Sequence, residues 1–156
     1  MNKKGFTLLE MIIAVTVILI GLIPIMSLMY DSSFGVRLSL SRLQAAYLAQ
    51  EGLEIVRNIR DSNWLAQSSW NNNLEVGAWE TSYDQALSPY QGRNLKLNND
   101  GFYNYNSGTD TKFKRKITIS KSGNDILEVA VEVSWQEKGE NYSLTVYENL
   151  YNWINQ

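Results

Sequence analysis

Glu10 and Gly5 are the residues near the N-terminus whose types and spacing suggest chemistry. The segment reads MNKKGFTLLEMIIAVTVILIGLIPIMSLMY, and Glu10 is the ionisable residue within its apolar part. A carboxylate in a membrane helix is costly unless a cation pairs with it, so Glu10 is a candidate for a functional ion pair. The alternative is that Glu10 lies in the headgroup layer. Gly5 has no Cβ and therefore permits close approach of another molecule to the backbone.

The composition argues against catalysis by this chain. Its 156 residues include no histidine and no cysteine, which removes the commonest general base, the Ser-His-Asp triad, disulfides and thiol-ligated metal. The formal net charge of −2 argues against tight nonspecific nucleic-acid binding. Residues 98–101 faintly resemble a calcium loop, but the EF-hand register would place Lys96 and Ser107 at the first and last ligand positions. We predict no enzyme activity, no cofactor and no metal.

A charge-free apolar run of nineteen residues covers positions 11–29. In a helix that rises about 1.5 Å per residue, this run approaches the roughly 30 Å of bilayer hydrocarbon. A secretory signal would carry a small-residue cleavage site after its apolar region, and no A-x-A-like site follows this one. A cut at Gly5 instead would leave the apolar helix on the mature protein. Lys3 and Lys4 predict a cytoplasmic start and export of everything after Tyr30.

The stretch KKGFTLLE, residues 3–10, resembles the leader and methylation site of type IV pilins and of the pseudopilins of type II secretion and competence systems. The resemblance extends over roughly the first thirty residues. It is specific because a glycine, a following phenylalanine and a glutamate soon after the cut rarely occur together before a spanning helix. The stretch AAYLAQEGLEIVRNIRDSNW, residues 45–64, also resembles the helix end of minor pilins and of pseudopilins of the I or V type.

This resemblance implies a processing pathway and a set of partners. Prepilin peptidase would cut between Gly5 and Phe6 and would N-methylate the new Phe6 amine. Glu10 would then pair with the Phe6 amine of a neighbouring subunit and set the register of assembly. The implied partners are that peptidase, other pilins or pseudopilins in a filament, an inner-membrane assembly platform and, before assembly, membrane lipid.

Gly21 and Pro24 lie inside the apolar run, where each weakens a helix. Proline removes a backbone hydrogen bond and clashes with the preceding turn, and neighbouring helices satisfy such breaks in membranes. The resemblance to pilins makes this stretch the candidate for local unwinding of the helix on assembly. The alternative is a mild kink without consequence.

An amphipathic helix is predicted over residues 31–61. Its apolar stripe follows spacings of three, four and seven residues through Val36, Leu40, Leu43, Tyr47, Leu48, Gly52, Ile55, Val56 and Ile59. Polar residues take much of the other side: Arg37, Arg42, Gln44, Glu51, Glu54 and Arg57. Joined to the segment over residues 6–30, it would form one helix of about 55 residues, on the order of 80 Å long.

The middle of the chain, residues 62–111, is rich in turn signals and aromatic side chains. We predict a connecting region with two short strands, at residues 77–83 and 101–105. Its aromatic residues are Trp64, Trp70, Trp79, Tyr83, Tyr90, Phe102, Tyr103 and Tyr105. Such side chains stack on sugars or bases when exposed, and otherwise cover the helix and the sheet as core or rim. We favour the second interpretation.

Residues 112–151 alternate as three strands of an antiparallel meander. The core face would carry Phe113, Arg115, Ile117 and Ile119 on the first strand, and Leu127, Val129, Val131, Val133 and Trp135 on the second. The third would contribute Leu144, Val146 and either Glu148 or Leu150. Because such a sheet needs cover, the amphipathic helix is its predicted partner. The fold class is therefore α+β and pilin-like, a long N-terminal helix packed on a three-stranded antiparallel sheet.

A basic cluster stands at the start of this sheet: Lys112, Lys114, Arg115 and Lys116. It has the charge to bind a polyanion, but strand alternation divides it between two faces. Glu128 and Glu132 lie on the adjacent strand, where cross-strand pairing is natural. We favour a salt-bridged sheet surface over a binding site.

These features together predict an exported structural subunit of a type IV pilus or type II secretion-like filament, a minor pilin or pseudopilin. It would start as a single-pass inner-membrane protein with residues 1–5 as its leader. Two alternatives are open: a filament-tip module that binds glycan or DNA through the aromatic region, and an uncleaved single-pass membrane protein.

Overall fold

The computed structural model describes Gly5 and residues 7–154; Lys3, Lys4 and Phe6 lie outside the described residues. The chain divides into two compact units, Met1–Leu40 and Ser41–Gln156. One helix, α1 (Leu8–Leu65, 58 residues), contributes to both. The prediction of a single helix through the apolar and amphipathic segments is therefore confirmed.

The first unit contains the apolar part of α1. Gly21 and Pro24 both lie within the continuous helix. By length and composition this helix can cross a membrane: its most apolar window has a mean hydropathy of 2.7 and is 0% buried within the chain. Its two hydroxyl groups with described contacts turn back onto the helix, since Thr16 donates to the Ile12 carbonyl and Ser33 to the Met29 carbonyl, each at 2.8 Å. These bonds satisfy polar side chains without a partner outside the helix.

The second unit is built on eight strands among its described residues. They are β1 (Gly77–Glu80), β2 (Ser88–Pro89), β3 (Lys96–Leu97), β4 (Tyr103–Asn104), β5 (Thr109–Asp110), β6 (Lys114–Lys121), β7 (Ile126–Glu137) and β8 (Glu140–Tyr151). The main sheet is antiparallel with the order β2-β1-β6-β7-β8, and a small sheet has the order β4-β3-β5.

The C-terminal meander has the predicted alternation. Ile117 of β6 pairs with Val131 of β7, which pairs with Val146 of β8. The inward-facing residues predicted for the first two strands are all buried. The α+β class and the antiparallel sheet are thus confirmed, although the main sheet has five strands rather than three because β1 and β2 extend it beyond β6. The predicted short strands appear as β1 and β4, both shorter than expected.

The face of α1 that covers the sheet differs from the predicted one. Its buried residues are Ser41, Ala45, Leu48, Ala49, Gly52, Leu53, Val56, Asn63 and Trp64. Leu48, Gly52 and Val56 were predicted there, whereas Val36, Leu40, Leu43 and Tyr47 are exposed by 52 to 62%. Small residues form the buried face because the helix backbone lies close to the sheet, and a search for large apolar residues does not detect such a face.

Arg115 joins the helix, the sheet and the connecting region from inside the core. Its side chain is fully buried and donates from Nη1 to the Leu48 carbonyl at 3.0 Å and from Nη2 to the Thr81 carbonyl at 2.6 Å. Glu51 balances its charge, with Oε1 lying 3.2 Å from Nη1. A buried guanidinium is tolerated only with such compensation. Arg115 therefore fixes the position of the Thr81 loop against α1.

Candidate functional site

The start of α1 is a capping box formed by Thr7 and Glu10. The Glu10 amide donates to Thr7 Oγ1 at 3.3 Å, and Glu10 Oε2 accepts from the Thr7 amide and from the Thr7 hydroxyl, each at 2.9 Å. This reciprocal arrangement satisfies amides that a helix start leaves without partners. A carboxylate in the first turn is also favourable to the helix dipole.

Thr7 is the residue of this site that the sequence reasoning missed. The sequence does contain a pattern that predicts its role, because T-L-L-E over residues 7–10 has the spacing Ser/Thr-x-x-Glu that marks a capping box. The apolar run and the resemblance to pilins assigned a role to Glu10 but none to Thr7. The structure shows that the Glu10 carboxylate holds the first turn of its own helix.

Gly5 precedes the helix and is exposed, and a Cβ built on it would meet nothing within 4 Å. The predicted scissile bond, between Gly5 and Phe6, thus precedes Thr7, where helical structure has not yet begun. Phe6, the predicted methylation site, lies outside the described residues.

The apolar side chains after Glu10 find no cover within the described part of the chain. Examples are Ile12, Ile18 and Ile23, with exposed fractions of 56, 59 and 69%. A continuous apolar surface of this kind marks contact with lipid or with other protein. Gly21 lies on this helix, and a Cβ added to it would meet nothing within 4 Å, so the predicted weak point does not pack against any described part of the chain.

Most aromatic residues of the connecting region are part of the core or its rim. Trp64, Trp70 and Tyr105 are buried, and Arg60 covers the face of Trp64 with its guanidinium carbon 4.6 Å from the ring centroid. Tyr83 and Phe102 differ, because their rings are 5.3 Å apart and each residue is 55% exposed. The interpretation of these aromatic residues as mainly core and rim is confirmed for the buried ones.

The basic cluster at the start of β6 is divided as predicted. Arg115 is in the core, and Lys116 pairs with Glu132 on the adjacent strand at 2.5 Å. This ion pair raises the pKa of Lys116. Lys112 turns to a partner that was not predicted, Glu137. The cluster does not form a continuous cationic surface.

The Asn98 loop is held by its own side chain. Asn98 Oδ1 accepts from the Asp100 and Phe102 amides at 3.0 and 2.8 Å. Its oxygen therefore shapes an Asx turn. Among the described residues no group of three or more His, Cys, Asp or Glu side chains could hold a metal ion.

Comparison with known proteins bears on the N-terminal segment. Residues 1–26 match the family model described as the prokaryotic N-terminal methylation motif. No curated protein and no solved structure matches the chain. The motif supports membership of the type IV pilin and pseudopilin family, and the observed helix and antiparallel sheet are consistent with a pilin fold.

Proposed function

We propose that this chain is a minor pilin or pseudopilin, a structural subunit of a type IV pilus or type II secretion-like filament. Its methylation motif supports a pilin-like subunit that prepilin peptidase processes and that assembles with other pilins. The observation that carries the proposal is the first turn of α1, which lies a few residues after Gly5. There the carboxylate of Glu10 precedes a long apolar stretch of the helix whose side chains are exposed.

Cleavage between Gly5 and Phe6 would create an amine directly before the helix. A cation at a helix N-terminus is unfavourable by about 0.3–1 kcal/mol because the dipole is positive there. A nearby carboxylate offsets that cost. Glu10 Oε2 accepts both hydrogen bonds from Thr7, and the described residues provide no hydrogen-bond partner for Oε1. This second oxygen is the acceptor we assign to the methylated Phe6 amine of a neighbouring subunit.

The apolar helix would then exchange lipid for neighbouring helices during assembly. Before assembly it anchors the chain in the membrane, and Lys3 and Lys4 place its start in the cytoplasm, with the second unit exported. Gly21 and Pro24 are the stretch that we propose unwinds in the filament. The helix is weaker at this stretch because Pro24 has no backbone N–H to donate to the preceding turn.

A pair of variants separates the charge of Glu10 from its role as a cap. Glu10→Gln keeps an N3 side chain suited to the capping box but removes the charge, whereas Glu10→Val removes both. If the carboxylate pairs with a neighbouring amine, both variants lose filament assembly while their membrane levels match the wild type. Filaments formed normally by Glu10→Gln would show that Glu10 acts only as a cap.

Mass spectrometry of the N-terminus tests the processing step. The expected mature chain begins at Phe6 and carries one N-methyl group. A matched Gly5→Ile variant keeps the charge of the leader but blocks close approach to the backbone. We therefore expect its leader to stay uncut, so that the chain begins at Met1, or at Asn2 where the initiator methionine has been removed. An intact leader on the wild-type chain in cells with an active prepilin peptidase would contradict the proposal and favour an ordinary single-pass anchor.

A further inference from the structure

The outer face of the main sheet carries a polar depression of about 570 Å³ at the end where β6 begins and the β7–β8 hairpin turns. Ser134 and Gln136 of β7 lie on either side of the buried Trp135, so their side chains point away from the core. The lining residues include Asn94, Lys112, Lys114, Ser134, Gln136 and Asn141. We call this depression the Lys114 pocket.

Strand register brings four of these polar side chains together. Lys114 of β6 lies opposite Ser134, and Asn141 of β8 lies opposite Gln136. Side chains directly opposite each other in an antiparallel pair have Cβ atoms about 5 Å apart, and Ser134 and Gln136 are successive residues on one face of β7. An ammonium group, a hydroxyl group and two amides therefore stand side by side.

Most of the hydrogen-bonding capacity of this pocket is unused within the chain. Among the described residues, the side chains of Asn94, Lys114, Ser134 and Asn141 have no hydrogen-bond or ion-pair partner. Gln136 donates from Nε2 to the Gly139 carbonyl at 3.2 Å, which leaves its side-chain oxygen as an acceptor. The pocket thus offers a ligand several donors and acceptors that no internal bond occupies.

The pocket also carries one positive charge without a counterion. No carboxylate is among its lining residues. Lys112 binds Glu137, and Lys116, two residues further along β6, pairs with Glu132 across the strands. Lys114 instead faces the neutral Ser134. In a chain with a net charge of −2, the Lys114 pocket is therefore a local cationic site.

We propose that the Lys114 pocket binds a sugar unit that carries one carboxylate. Its carboxylate would accept from the Lys114 ammonium, a charge-assisted hydrogen bond. Its hydroxyl groups would bond to Ser134 and to the amides, because hydroxyls and amides both donate and accept. The volume lies within the range of small-ligand sites. One uncompensated ammonium does not suit a nucleic acid, whose affinity comes from many phosphate contacts.

Ligand-observed NMR on the full chain in detergent tests the binding, with D-glucuronate as the probe. D-glucose has the same ring without the carboxylate, and acetate has the charge without the ring. We expect saturable binding of glucuronate, severalfold weaker binding of glucose, and none of acetate. The absence of saturable glucuronate binding would overturn the proposal. So would acetate binding as tight as that of glucuronate, because that result indicates a site for any small anion.

Charge removal tests the role assigned to Lys114. Lys114→Gln should raise the Kd of glucuronate about tenfold, as expected for the loss of a hydrogen bond to a charged group, and should leave glucose binding unchanged. Lys121→Gln is the matched control, since it makes the same charge change at the other end of β6. Equal losses in the two variants would show that net charge, and not this pocket, attracts the probe.

Filling the pocket tests its location without a change in charge. Ser134→Tyr should abolish the binding of glucuronate and glucose, whereas Thr118→Tyr, further along the outer face, should keep both. Urea unfolding checks that both variants fold. A folded Ser134→Tyr variant that binds like wild type would overturn the proposal. These measurements use the isolated chain, so a negative result would leave the proposed filament function intact, and loss of filaments in Glu10→Gln would leave this pocket intact.

Discussion

Thr7 is hydrogen-bonded to Glu10 at the start of α1: its amide and its hydroxyl both donate to the same carboxylate oxygen, Oε2, each at 2.9 Å. The carboxylate is therefore held in place before any neighbour arrives. A side chain with a fixed rotamer loses less conformational entropy when it forms an ion pair. The capping box thus prepares Glu10 for the pairing role that we propose.

Thr7→Val should loosen this first turn without preventing processing. The change removes the hydroxyl that accepts from the Glu10 amide, and loss of an N-cap costs about 1 kcal/mol. Hydrogen exchange at the Glu10 amide should become about fivefold faster, while Thr7→Ser should keep the wild-type rate. Cleavage before Phe6 should be unchanged by mass spectrometry. Equal exchange rates in Thr7→Val and wild type would show that the cap has no energetic weight.

Gly52→Ala should destabilise the second unit although alanine favours helices. A Cβ at this position would lie 2.9 Å from Val131 Cγ1 and 3.1 Å from Arg115 Cδ. Overpacking of this kind costs about 1–3 kcal/mol, more than the helix propensity of alanine returns. Gly35→Ala is the control, because nothing lies within 4 Å of a Cβ there. We expect urea unfolding of the full chain in detergent to show a lower free energy of unfolding for Gly52→Ala and no decrease for Gly35→Ala.

A double variant identifies the cause of the lower stability of Gly52→Ala. Val131→Ala alone removes buried methyl groups, yet combined with Gly52→Ala it should cost less than the sum of the two changes, because the clash disappears. Additive losses would mean that Gly52→Ala acts in some other way than through Val131.

The sheet was predictable from the sequence to the extent that its strands are long. β6, β7 and β8 follow one another along the chain, and their period of two is visible without knowledge of the partner strand. β2, β3 and β5 each have two residues, too few for any alternation, and their pairing depends on contacts distant in sequence. Local patterns therefore could not reveal them.

The buried face of α1 was not predictable from large apolar residues. Ala45, Ala49 and Gly52 are buried because the helix lies close to the sheet, while Leu43 and Tyr47 point away. Both stripes have a helical period, so periodicity alone does not choose between them.

Gln67→Gly should stabilise the end of α1. The Gln67 amide donates to the Trp64 carbonyl at 3.1 Å and the Ser68 amide to the Asn63 carbonyl at 3.0 Å, which is a Schellman motif with Gln67 at its left-handed position, φ 54°. Glycine occupies that conformation without the steric cost that other residues bear. We expect a gain of about 0.5–1 kcal/mol in the free energy of unfolding. Gln67→Ala should give no gain, and an equal gain from both would exclude the backbone explanation.

Tyr105 should make the second unit sensitive to alkaline pH. Burial raises the pKa of its hydroxyl to about 12, and the hydroxyl donates to the Arg115 carbonyl at 3.2 Å. An unfolded tyrosine ionises near pH 10, so between about pH 10 and 12 the unfolded chain binds fewer protons than the folded one. The stability contributed by neutral Tyr105 is therefore fully present below pH 10 and falls above it, by at most about 1.4 kcal/mol per pH unit.

Tyr105→Phe isolates this contribution, because it removes the ionisable group and keeps the ring. The variant should be somewhat less stable than wild type at pH 8, where it lacks the hydrogen bond to Arg115, by about 1 kcal/mol. Its free energy of unfolding should then decline less steeply between pH 10 and 12. Tyr147→Phe, at a residue that is 76% exposed, serves as the control and should keep the wild-type slope. Parallel pH profiles for Tyr105→Phe and wild type would mean that Tyr105 ionises in the folded protein as readily as in the unfolded chain.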